Sequence, residues 1–113
     1  MSARLASGIW VGAYLRRLDL AGIPAYVLAR GDEVAGAVIV KLALPGGQAR
    51  AYARLPDLAD PEGGRCWEVL AEGPEPEVDA ALERQRRFDP DLWLIEVESR
   101  DGRHLLDEPG LAG

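Results

Sequence analysis

Cysteine, histidine, methionine, phenylalanine and lysine occur once each in 113 residues. A lone Cys66 excludes an internal disulfide and any zinc site built on several cysteines. His104 stands equally alone, so a nucleophile and base made from this pair would need the fold to join them and a third group to orient them. A cysteine beside an apolar run is ordinarily just buried. Long apolar runs are also missing: the longest, Ala35 to Val40, is broken by Gly36 and falls far short of the roughly 20 residues of a bilayer span. Met1 to Ser7 offers Arg4 but no apolar stretch of signal-peptide length before Arg16-Arg17, so no secretion signal and a cytoplasmic setting are expected. An excess of basic charge is lacking as well. With 13 Lys and Arg against 19 Asp and Glu, net −6, the chain is a poor candidate for non-specific binding to nucleic acid or anionic membranes. No glycine-rich loop lies between a strand and a helix with a lysine following, which argues against a nucleotide fold. No repeat or long heptad run occurs, and no cofactor is expected.

What is present is apolar enough to fold. A hydrophobic share of 48%, with Trp10, Trp67 and Trp93 spread along the chain, supports one core, and residues 1–113 read as a single domain. Val11, Tyr14, Leu15 and Leu18 recur at helical spacing after Ser7, a candidate N-cap, and Gly22-Ile23-Pro24 stops that helix. Residues 25–30, 35–44 and 48–55 read as strands divided by short turns, with 65–71 returning to the same sheet after the loop 56–64. Pro74 and Pro76 followed by Glu75, Glu77 and Asp79, with Arg84, Arg86 and Arg87 at the exit, mark a second helix whose charges follow its dipole. Residues 92–98 form another strand, Arg100 to Arg103 a tight hairpin into 104–106, and the tail from Asp107 should fray. The order α-β-β-β-β-α-β-β predicts an α+β fold, a mostly antiparallel sheet of four to six strands with both helices on one face.

Ser7-Gly8-Ile9-Trp10-Val11 with Ala13-Tyr14-Leu15-Arg16-Arg17, Gly31-Asp32 with Ala35-Gly36-Ala37 and Val40-Lys41, and Arg84 to Trp93 leading to Glu96-Val97-Glu98 together resemble the domain-of-unknown-function family DUF1491. The resemblance spans roughly Arg4 to Asp107. It implies a small alphaproteobacterial protein in the cytoplasm and carries no activity or site residues with it.

Three surfaces are chemical candidates. If Gly46-Gly47 is a two-residue hairpin loop, Lys41 faces Tyr52, Ala43 faces Arg50 and Ile39 faces Arg54, so Lys41, Arg50, Tyr52 and Arg54 make a basic sheet face suited to phosphates or stacked bases. Glu33, Asp57 or Asp60 would equally well neutralise those arginines on a solvated surface. Glu96 and Glu98, two apart in a strand, point the same way and could hold a divalent cation for hydrolysis. Alternating glutamates on a wet strand face are nevertheless ordinary. Finally, Trp10, Tyr14 and Trp93, with Arg84 and Arg87, are the kinds of residue that anchor protein interfaces, although core packing is the usual fate of each aromatic alone. The reading that follows is a non-catalytic binding or adaptor module, its partner another protein or a second copy in a homodimer. A weak nucleic-acid or phosphate binder is the alternative, and a metal-dependent hydrolase ranks third.

Overall fold

The computed structural model describes residues 5–56 and 58–111. Helix α1 (Ser7–Leu20) is followed by strands β1 (Ala25–Ala29) and β2 (Val38–Leu44), a 3₁₀ turn at Pro45–Gly47, strands β3 (Gln48–Pro56) and β4 (Arg65–Pro74), helix α2 (Glu75–Phe88) and strand β5 (Trp93–Glu98). The sheet runs β1-β5-β2-β3-β4; β2 and β5 are parallel and the other three pairings are antiparallel. The α+β class and the order of these elements match the sequence reading. Residues 104–106 do not form a last strand.

The helices do not share a face. Trp10, Val11, Tyr14 and Leu18 of α1 pack with Val38, Val40, Leu42, Ile95 and Val97, whereas Val78 and Leu82 of α2 pack with Ile39, Ala49, Ala51 and Leu94 on the other side. The chain leaves edge strand β4 and must re-enter parallel to β2 as β5. Such a connection crosses over one face of the sheet. That face is taken by α2, and α1 closes the other. Strand β2 is therefore covered on both sides, the situation in which a strand reads as a continuous apolar run instead of an alternating one.

The β2–β3 turn sets which side chains share a face. Gly46 and Gly47 both have left-handed φ, 74° and 71°, and Pro45 joins them in a three-residue loop that pairs Leu44 with Gln48. Lys41 consequently faces Ala51, not Tyr52, while Leu42 faces Arg50 and Val40 faces Tyr52. A shift of one residue sends every side chain of a strand to the opposite face. Ala51 thus lies beneath α2, and Arg50, Tyr52 and Arg54 lie on the α1 side.

Two further expectations are corrected. Ser7 is the first residue of α1 and not its cap: its hydroxyl donates to the Gly36 carbonyl at 2.6 Å, and the open Ser7 and Gly8 amides are met by the carbonyls of Val34 and Glu33. These bonds satisfy helix-end donors that would otherwise be orphaned. The tail does not fray over its described part either. Leu105, Leu106 and Leu111 are buried in the α1-side core, Trp67 Nε1 donates to the Leu111 carbonyl at 3.0 Å, and Arg17 pairs with Glu108 at 2.8 Å. Residues 112–113 lie outside the described part.

The segment Gly31 to Ala37 is closed by backbone contact. The Asp32 amide donates to the Asp91 carbonyl, Trp93 Nε1 donates to the Asp32 carbonyl, and the Asp32 carboxylate accepts from the amides of Val34 and Ala35. A Cβ at Gly31 would meet the Asp91 carbonyl oxygen and sit 2.6 Å from the Leu92 carbonyl carbon. Gly31→Ala is therefore expected to destabilise the fold by about 1–3 kcal/mol, the usual cost of overpacking. Chemical denaturation checks this, and a midpoint equal to wild type would contradict the close packing.

Candidate binding site

Lys41, in the middle of β2, is 4% exposed, and its register turns it toward α2. A buried ammonium persists only where its three donors are met. Here Nζ lies 2.6 Å from Asp79, 2.9 Å from Glu75 and 3.0 Å from Glu96. Glu75 and Asp79 are one helical turn apart at the start of α2, and Glu96 stands directly across the parallel ladder on β5. Burial pulls the lysine toward neutrality, but hydrogen bonds to Asp79, Glu75 and Glu96 outweigh it and hold the ammonium above the usual lysine range. One cation among three carboxylates leaves two negative charges at this end of the sheet.

Beside this cage, at the carboxyl ends of parallel β2 and β5, opens a groove of about 970 Å³. Ile23, Pro24 and Leu44 form an apolar wall, and Glu75, Glu96 and Glu98 an acidic one. Glu98 has no ion pair among the described residues. Arg100 and Arg103 line the far side, where Asp101 is occupied by Ser99 Oγ at 3.0 Å and the Arg103 amide at 3.2 Å. These local bonds, the Arg103 amide first and the Ser99 hydroxyl second, hold the Asp101 carboxyl below its ordinary range.

Strand β1 borders the groove through Pro24, whose carbonyl accepts from the Glu98 amide at 2.9 Å. Among the described residues it pairs with β5 alone, which leaves its other side an open edge. By the alternation of an antiparallel ladder, Tyr26 turns its backbone groups to β5, while Ala25 and Val27 turn theirs outward. Ala25 to Ala29 carries no charge, and Tyr26 and Leu28 are each 49% exposed. A bulge between Val27 and Ala29 bends its far end.

The candidate residues read from sequence fall in different places. The basic face is divided: Lys41 is caged under α2; Arg50, on the α1 side, is held by Glu72 at 2.8 Å and by the Tyr52 hydroxyl at 3.2 Å. Arg54 lies over the rings of Trp10 and Trp67, 5.5 and 5.9 Å from their centroids. Asp57, one of the carboxylates expected to neutralise them, is outside the described residues. Trp10, Tyr14 and Trp93 are buried to 2% exposure or less and cannot present an interface. Tyr14 stacks on Trp10 at 4.9 Å and donates its hydroxyl to the His104 carbonyl. Arg84 and Arg87 are on the exposed surface of α2, where Arg86, not Arg87, reaches Glu83. Glu96 serves Lys41, and among the described residues no group of three or more His, Cys, Asp or Glu is arranged to hold a metal ion. His104 lies tilted against the Tyr52 ring and accepts the Leu106 amide at Nδ1, while the Cys66 thiol faces Glu68. The cage was missed although its signal was present: a single lysine in the otherwise apolar run Val38 to Leu44 requires buried partners, and the acids of α2 were the nearest supply.

A mixed five-stranded sheet with one helix on each face and a charged groove at the end of its parallel pair defines a small α+β protein. Over residues 5–107 the sequence matches the family described as a protein of unknown function, DUF1491, and the chain belongs to that family. It is similar to the crystal structure of a DUF1491 family protein from Caulobacter crescentus, with 44% identity, 93% of this chain and 95% of that chain covered, and a TM-score of 0.77. An NMR structure of a DUF1491 family protein from the same organism shows 41% identity, coverage of 96% and 97%, and a TM-score of 0.79. The solution structure of a protein from A. tumefaciens shows 38% identity, coverage of 91% and 92%, and a TM-score of 0.74. No curated protein matches. Among the described residues no helix is long and apolar enough to cross a membrane.

Lys41→Met leaves three carboxylates facing an apolar side chain. A loss of about 1–3 kcal/mol is expected, below the full penalty for breaking a buried ion pair because the carboxylates are partly solvated. Urea denaturation measures it, and an unchanged midpoint would remove the cage from the account. Burial, with a smaller push from Arg50 against the opposing pull of Asp107, lowers the His104 pKa. Its neutral form therefore contributes stability that is present above the unfolded value of about 6.5 and lost as pH falls below it. Melting temperature should decline with acidification through that window, and His104→Gln should flatten this part of the profile. Equal slopes in both proteins would contradict the assignment.

Proposed function

We propose that the protein is a non-catalytic protein-binding module and that a partner docks by adding an extended segment to the open edge of β1. The observation that supports this reading is the contrast between the two edges of the sheet. Edge strands left in water ordinarily carry charges or proline that discourage pairing. β4 conforms, with Arg65, Glu68, Glu72 and Pro74 along its length. β1 offers Ala-Tyr-Val-Leu-Ala with no charge and three partly exposed apolar side chains. Main-chain bonding at such an edge supplies affinity, and alternate side chains supply selectivity.

The interface thus moves from the aromatic residues, which the core consumes, to Tyr26, Val27 and Leu28. Substituting Leu28→Lys, at an exposed position, places a charge on the edge without touching the core. Affinity capture from nuclease-treated lysate should retain a defined protein on wild type and lose it, by tenfold or more, on Leu28→Lys. Light scattering at high concentration separates a second copy of this chain from a different partner. Retention that is the same for both proteins, or no retained protein, would overturn the reading.

A further inference from the structure

We infer that the groove at the carboxyl ends of β2 and β5 accepts a lysine or arginine side chain of the segment that pairs with β1; this deepens the docking role proposed above and rests on it. The argument begins with charge. The Lys41 ammonium is shared among Glu75, Asp79 and Glu96, so two negative charges are left over, and Glu98 adds a third with no ion pair among the described residues. Glu75, Glu96 and Glu98 all line the groove. Arg100 and Arg103 lie across it, where Asp101 is engaged by its own loop and Arg103 pairs with Glu108 at 4.0 Å.

Position supplies the second part. Pro24, just before β1, and Glu98 on β5 are hydrogen-bonded neighbours, so the residue of an added strand opposite Pro24 lies in the same cross-strand row as Glu98. Two strand spacings of about 4.8 Å separate it from β5. The stem of a lysine or arginine crosses that gap, resting against the Pro24 ring while its charged head reaches the carboxylate. Long basic side chains are suited to this division between apolar stem and solvated head. An acidic residue at the same place would meet three carboxylates, and an aliphatic one would leave Glu98 desolvated without a partner. The groove thus selects by charge, whereas the β1 edge selects for extended, uncharged sequence.

The test uses a displayed library of random decapeptides selected on immobilised wild type, Glu98→Lys and Leu28→Lys, each first confirmed as folded by circular dichroism. Glu98 and Leu28 are exposed, so neither change disturbs packing. Wild type is expected to enrich β-branched, apolar segments bearing Lys or Arg at one fixed offset. Synthesised, such a segment should lose affinity by about tenfold or more on Glu98→Lys and weaken with added salt, as a partly exposed charge pair does. On Leu28→Lys it should not bind. Enrichment of apolar segments with no basic position, or binding indifferent to Glu98→Lys, would overturn the groove while leaving the β1 edge in place. Enrichment that survives Leu28→Lys, or no enrichment on wild type, would overturn the edge reading and the groove with it.

Discussion

A single ammonium buried in the central strand governs the arrangement of this molecule. Lys41 reaches α2 because the three-residue turn at Pro45–Gly47 sets the register of β2 against β3, and it is tolerated because α2 and β5 deliver three carboxylates to it. The cost of stranding a charge in the interior ties the orientation of the second helix to that register. Were the pairing to slip by one residue, Lys41 would enter the apolar α1-side core among Trp10, Tyr14 and Leu18. The cage thereby helps specify one sheet out of two that the alternation of β3 alone would permit.

That arrangement also shapes the surface. The carboxylates that neutralise Lys41 form part of the groove at the end of the parallel pair, so the residue that orients α2 also determines the net charge displayed beside β1. On the opposite face, aromatic and basic groups are drawn inward: Arg54 lies over two indoles, Arg50 is held by Tyr52 and Glu72, and the segment 104–111 packs across them. The edge of β1 exposes backbone and modest apolar area next to the acidic wall of the groove.

Much of this was legible in the residues. Helix α2 announced itself through acids at its start and arginines at its exit, α1 through Val11, Tyr14 and Leu18, and the strands through short apolar runs between glycine and proline turns. The register was not legible, because Pro45-Gly46-Gly47 is compatible with loops of two or three residues, and only the longer one turns Lys41 under α2. The two-sided cover of the sheet was readable in principle: apart from Lys41, every residue from Val38 to Leu44 is apolar, a pattern that belongs to a strand buried on both faces. Trp10, Tyr14 and Trp93 are residue types that anchor interfaces, and two short helices alone would leave part of them uncovered. The packed tail, with Leu105, Leu106 and Leu111, supplies much of the missing cover. The open edge of β1 depended on strand order, which long-range pairing decides and local composition does not.

Because Lys41 is the only lysine in the chain, its side chain can be observed without ambiguity. Labelling lysine with nitrogen-15 and following the Nζ resonance through an alkaline titration addresses the cage directly. With the ammonium held by Asp79, Glu75 and Glu96, the resonance should stay in its protonated position well past a pH of about 10.4, where an ordinary lysine is half titrated. A side chain that titrates at the ordinary value in the folded protein would mean that no cage exists, and with it would go the proposed basis for the register, the orientation of α2 and the charge of the groove.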